Sequence, residues 1–239
     1  MKNALDGLHG WVNERIDIVT LKERLITRPI PKGVGLWYTL GFASVFVFMS
    51  QAITGAMLAL YYSPTPDHAY DSVNYIMNEV TFGTVIRGMH HWGSSAMVVL
   101  ALAHAAVVFA MAAYKYPREL TWLVGMLMFL VVLGFSFTGY LLPWDEKAYW
   151  ATTVGTNMAG TVPYVGDYIV RALRGGSTLG AMTLSRFYVA HTMILPAVLI
   201  MLTAAHLFLV VRQGVSVPPK LWEARPEAES ESMPPQERS

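Results

Sequence analysis

Four stretches of this chain, at about 34–62, 88–113, 120–142 and 187–211, are apolar over the thickness of a bilayer core and contain no Asp, Glu, Lys or Arg. Roughly 20 consecutive apolar residues suffice for a helix to cross a bilayer. In hydrocarbon only helices or closed barrels satisfy every backbone N–H and C=O. The sequence therefore predicts an all-α membrane protein, a four-transmembrane-helix bundle. At 54% hydrophobic and 14% charged, the chain is also too apolar for an ordinary soluble domain.

The flanks define three parts. Residues 1–32 mix six Lys/Arg with Leu8, Trp11, Val12, Ile16 and Val19 and end at Pro29 and Pro31. They read as an interfacial amphipathic helix, with a disordered basic leader as the alternative. Residues 33–213 hold the bundle, and 214–239 form a Pro/Glu/Ser-rich tail expected to be disordered. No apolar run precedes residue 33, so no cleavable leader is expected. Twelve Lys/Arg fall on the side of the two termini and the 114–119 loop. Five (Arg87, Lys147, Arg171, Arg174, Arg186) fall on the other. Both termini should therefore face the cytoplasm-like side.

Histidines inside such spans are costly and usually face the bundle interior. A lone one is most simply a helix–helix hydrogen bond. Here there are two pairs: His90 and His104 in the second span, His191 and His206 in the fourth. The first pair is 14 residues apart, about 21 Å along a helix and about 40° around it. The second is 15 apart, about 22 Å and roughly 60°. Spans two and four run in the same direction, so His90 comes level with His191 and His104 with His206. Each level then offers two imidazoles to the axial positions of one haem, giving a bundle that encloses two haems. Packing or proton-relay histidines in a haem-free transporter remain the bland alternative.

Gly41 and Gly55 in span one, and Gly125 and Gly139 in span three, repeat the 14-residue spacing. Facing positions without side chains would admit a flat macrocycle, although glycine also serves close helix packing. Arg87, Arg186 and Arg118 lie near the span ends, where haem propionates need cations and where membrane anchoring would also use them. His91 projects about 100° away from His90 and cannot share its role. No cysteine occurs among the 239 residues, which excludes disulfides, thiolate-ligated clusters and a cysteine-linked haem c. The long 143–186 connection carries aromatic groups suited to an interfacial quinone pocket. Those groups are Trp144, Tyr149, Trp150 and Tyr164, and the pocket candidates are Tyr140, just before the connection, with Pro143, Trp144, Asp145, Tyr149 and Trp150, although interfacial aromatics also simply anchor. The net charge of +1 leaves no nucleic-acid footprint, and no nucleic-acid partner is expected.

The segments YIMNEVTFGTVIRGMH, PRELTW, TGYLLPWD, YWA, SRFY, HTMILP and RQG resemble the cytochrome b family of quinol oxidoreductases, in its short, four-span b6 form. The resemblance runs to about Pro218, and the 15-residue His191–His206 separation matches the b6 type rather than the mitochondrial 14. It implies that His90 and His191 ligate a low-potential haem b near the outer side, and His104 and His206 a high-potential one near the inner side. It also implies quinol oxidation beside the helix after Pro143-Trp144-Asp145 and quinone reduction on the other face, coupled to proton translocation. Implied partners are membrane lipid and quinone, a Rieske iron–sulfur protein, a c-type cytochrome subunit, and a separate subunit carrying the C-terminal half of cytochrome b, in a dimeric complex. A bacterial inner (plasma) or photosynthetic membrane is the expected location. Thr39 stands where chloroplast-type members carry their haem-attaching cysteine, and His91 where b6 normally has Arg. The alternative function is a di-haem b anchor of another quinone-linked dehydrogenase or reductase, which would not predict the Pro-Trp-Asp segment.

Overall fold

The computed structural model describes residues 35–214 and 216. The amphipathic helix expected within 1–32 lies outside them, as does nearly all of the expected 214–239 tail. Every regular element among the described residues is helical. A 3-10 turn (Leu36–Thr39) leads into α1 (Leu40–Ala59). There follow α2 (Ala69–Asn78), α3 (Gly83–Ala110), α4 (Glu119–Leu141), α5 (Glu146–Gly160), α6 (Gly166–Arg174) and α7 (Ala181–Val189). A π turn (Ala190–Ile194) then joins α7 to α8 (Leu195–Gln213). Four helical stretches are long and apolar enough to cross a membrane: Leu36–Ala59, Gly83–Ala110, Glu119–Leu141 and Ala181–Gln213.

Their surfaces are arranged for lipid. Phe42, Phe46, Met49, Ile53, Met57 and Leu60 recur at three- and four-residue steps along the first span, and all are exposed. This apolar stripe points outward, the reverse of a soluble helix. Small and polar groups face the neighbouring helix instead. Gly93 of α3 lies against Gln51 of α1, where an added Cβ would collide with the Gln51 amide. That amide donates to the Met89 carbonyl (3.3 Å). Close approach over small residues, with a side-chain hydrogen bond across the contact, is how helices associate without a hydrophobic driving force. The most extensive packing joins α1 to α3 and α4 to α8, so the bundle is two helix pairs set side by side.

The inner ends of the second pair are tied by two segments far apart in sequence. Thr121 donates to Gln213 Oε1 (2.7 Å), Gln213 Nε2 donates to the Pro117 carbonyl (2.7 Å), and Arg118 reaches the Gln213 carbonyl (3.4 Å). At the outer end, Ala69, Leu141, Leu184 and Phe187 form a buried cluster on which Tyr62, Phe137, Leu142, Trp144 and Leu173 pack. Tyr62 donates to the Leu142 carbonyl (2.7 Å) and stacks on Tyr188 at 5.5 Å.

The long 143–186 connection is ordered as a helical hairpin, α5 and α6, over this end. Asp145 caps α5, its Oδ1 accepting from the Ala148 N–H (2.7 Å), a contact typical of Asp at a helix start. Gly175 ends α6 with φ of 75°, a left-handed conformation that glycine adopts without strain. Arg174 binds the hairpin together. It is buried, and its guanidinium donates to Thr156 Oγ1, Asn157 Oδ1 and the carbonyls of Thr153 and Ser177. These acceptors are neutral, so the buried charge is satisfied by dipoles.

Arg174→Met would strip several buried acceptors of donors at once, each loss costing about 1–3 kcal/mol. Thermal unfolding of the purified protein should show a clear fall in Tm, with Arg174→Lys recovering only part. An unchanged Tm in the Met variant would remove Arg174 from this role.

Candidate functional site

The four span histidines come together with the four glycines in one repeated contact. A Cβ built on Gly55 would lie 3.0 Å from His90 Cε1, on Gly41 3.2 Å from His104 Cε1, on Gly139 2.6 Å from His191 Cε1, and on Gly125 3.3 Å from His206 Cε1. Each imidazole thus lies against the bare backbone of the helix paired with its own. The expectation was that these glycines admit a macrocycle directly. In the structure the same glycines leave room for the histidine rings, most tightly at Gly139, where an added Cβ would clash with His191.

The outer level is closed across the two helix pairs. His90 and His191 have ring centroids 6.2 Å apart. Rings that face each other in this way would be the pair to hold one haem, which when bound supplies a one-electron carrier. The other ring nitrogens are occupied. Thr54 Oγ1 lies 3.0 Å from His90 Nδ1, and Thr138 Oγ1 3.2 Å from His191 Nδ1. Each threonine gives its own proton to a carbonyl one turn back, Ser50 (2.7 Å) and Gly134 (2.8 Å). The oxygen therefore presents only lone pairs to the ring, so Nδ1 carries the hydrogen and Nε2 is left as a ligand atom.

The π turn explains the unequal histidine spacing. Leu195 N–H bonds to the Ala190 carbonyl, an i→i+5 closure, which takes one residue more than an α turn. Pro196 has no N–H to continue the α ladder, and the Thr192 hydroxyl donates to the Tyr188 carbonyl (2.7 Å). The fifteenth residue is absorbed there. His191 and His206 thus return to about the 40° offset of a 14-residue step, the same as His90 and His104, in place of the roughly 60° expected from a continuous α-helix.

At the inner level His206 Nδ1 and Arg118 Nε are buried without hydrogen-bond partners among the described residues. Of the other predicted cations, Arg87 lies in the second turn of α3 and reaches the Met77 sulfur (3.6 Å). Arg186, on α7, donates to the carbonyls of Arg171 and Ala172 at the end of α6. His91 is exposed and sits edge-on to Trp92 at 5.6 Å.

The quinone candidates cluster at the outer end. Trp144 has φ of 53°, a strained conformation of the kind found at functional sites. It meets Tyr149 edge-on at 5.9 Å, and Tyr149 meets Trp150 at 5.5 Å. Tyr140 and Trp150 are partly exposed. Pro143 is half-buried just before them, and Asp145 is committed to its helix cap. Cavities of about 330 Å³, between Gly160 and Arg171, and about 120 Å³, around Met57, Ile76 and Ile86, lie away from these residues. Sequence reasoning missed Thr54, Thr138 and Arg174. A Thr-Gly dipeptide at both outer glycines was the available signal for the first two.

Together these features define a polytopic membrane protein with paired histidines aimed between helix pairs. The chain belongs to the cytochrome b/b6 (petB) family, whose model matches residues 25–214. It is 44% identical over 222 residues to the menaquinol:cytochrome c reductase cytochrome b subunit of Geobacillus thermodenitrificans, covering 90% of this chain and 99% of the relative. It is 40% identical over 211 residues to cytochrome b6 of Picosynechococcus, covering 88% and 95%. Its fold matches a solved chain described as a hyperthermophilic respiratory Complex III, with a TM-score of 0.81 and 32% identity. That match covers 88% of this chain and 56% of the solved one, so this chain spans little more than half of that protein's length. The family implies haem b, and the residues fit it: glycine-backed imidazoles, outer rings engaged by threonine at Nδ1, and polar atoms at the inner end with no hydrogen-bond partner among the described residues.

Two single-residue deletions test the register. Removing Met193 takes the extra residue from the π turn and should leave both b-type haem signals. Removing Thr203 keeps the π turn, swings His206 by about 100° and should abolish one signal. Equal loss in both, read from reduced-minus-oxidised spectra, would contradict the register argument.

Proposed function

We propose that the chain is the di-haem b subunit of a quinol:cytochrome c (or plastocyanin) oxidoreductase. It carries electrons from an outer-side quinol oxidation site to inner-side quinone, coupled to proton translocation. The observation that carries this reading is the pair of matched glycine–histidine levels. His90 and His191 would hold one haem b and His104 and His206 the other, each bound group supplying a one-electron carrier at its depth.

The protein's own residues do the positioning. Thr54 and Thr138 fix the outer rings, and the π turn brings His206 under His191. Arg118 offers an unpartnered Nε to an anionic group at the inner end, suiting a propionate. Arg87 and Arg186 are the outer counterparts, the latter also holding the end of α6. Trp144, Tyr149 and Trp150, with Tyr140 and Pro143 beside them, would form the apolar wall for quinol under the α5–α6 hairpin, with Asp145 and Arg174 setting its shape.

Membership of a multi-subunit enzyme follows the family. The finer assignments are a Rieske protein, a c-type cytochrome subunit, a subunit supplying the C-terminal half, and a dimeric complex. The charge asymmetry supports both termini on the cytoplasmic side of a bacterial membrane.

His104→Leu and His206→Leu should each abolish the same haem signal and leave the other. Affinity purification through this chain should bring down a Rieske iron–sulfur protein. Loss of different haems would break the level pairing. Capture of a dehydrogenase in place of a Rieske protein would favour the membrane-anchor alternative.

A further inference from the structure

The two histidine levels share the glycine contact, and the residue that precedes each glycine differs between them. Thr54 precedes Gly55 and Thr138 precedes Gly139. The corresponding positions 14 residues earlier, before Gly41 and Gly125, are Leu40 and Val124. Both outer rings therefore meet a hydroxyl at Nδ1, at 3.0 and 3.2 Å. Neither inner ring can receive that contact from the equivalent residue, and His206 Nδ1 has no hydroxyl partner among the described residues.

The orientation of those hydroxyls is fixed rather than optional. Each proton is committed to the carbonyl of Ser50 or Gly134, so each oxygen can only accept from the imidazole. An imidazole that gives up part of its Nδ1 proton becomes more basic at Nε2. A more basic axial ligand stabilises ferric over ferrous iron, and hydrogen bonding around the ligands is one of the levers by which a protein sets a haem potential. Two such bonds at one level and none of them at the other bias the pair in one direction.

We propose that Thr54 and Thr138 are potential-setting residues. Their hydroxyls hold the outer haem at lower potential than the inner one, and so help give electron flow across the bilayer its direction. This inference rests on the di-haem reading above. Thr54 and Thr138 are positioning residues, acting only through the histidines they touch.

The test is an equilibrium redox titration of the purified complex, followed at the α-bands of the two haems. Thr54→Val and Thr138→Val keep side-chain shape and remove the hydroxyl. The double variant should shift the outer haem toward the ferrous form about tenfold at a given potential. That is a rise of about 59 mV for one electron, with the inner haem unmoved. Thr→Ser at either site should restore the original value. The converse variant, Val124→Thr, places a hydroxyl before Gly125 and should lower the inner haem's potential, which keeps the proposal open to refutation if the Val variants lose haem. Two haems with unmoved potentials in the double Val variant, or an unmoved inner haem in Val124→Thr, would overturn the inference. Fewer than two b haems in the unsubstituted protein would instead overturn the reading beneath it.

Discussion

Everything in this structure depends on a short-range contact: an imidazole ring laid against a helix backbone that has no side chain there. A Cβ built on each of the four glycines would lie 2.6 to 3.3 Å from a ring atom, a clash at Gly139 and a tight contact at the other three. The contact fixes how closely α1 approaches α3 and α4 approaches α8, and those two pairs make up the bundle. It also fixes where each ring can point, across the gap between the pairs. Helix association in lipid lacks a hydrophobic drive, so the small-residue contacts that hold the pairs together are the same ones that build the site.

The second constraint is register. Two helices must deliver rings at two depths about 21 Å apart, with an offset around the axis that agrees between them. The α3 helix does so with a 14-residue step. The fourth span carries one residue more and corrects for it with a π turn at His191, enforced by Pro196 and sealed by the Thr192 hydroxyl. The irregularity sits at His191, the residue proposed as a haem ligand, and such bulges are frequent at functional sites.

Much of this was legible in the sequence because it is written in periodicity and composition. The four spans follow from charge-free apolar runs, and the level pairing of histidines and glycines from spacing along helices. What was not legible needs tertiary contact. Thr54 and Thr138 are unremarkable residues of apolar runs until a partner helix brings a ring to them. Arg174 reads as one more outer-side charge, and only the α5–α6 hairpin turns it into a buried clamp. The contact of each glycine with an imidazole ring was not legible either, because spacing shows which residues share a level and not which atom touches which. The π turn at His191 was not legible, because a uniform 100° per residue contains no such turn.

The central claim is that these four histidines form two sites in one chain. Haem stoichiometry tests it most directly: a pyridine haemochrome assay on the purified protein, set against its polypeptide concentration. The account predicts two b-type haems per chain, both non-covalent, as a chain without cysteine requires. A ratio of one, or none, would contradict it.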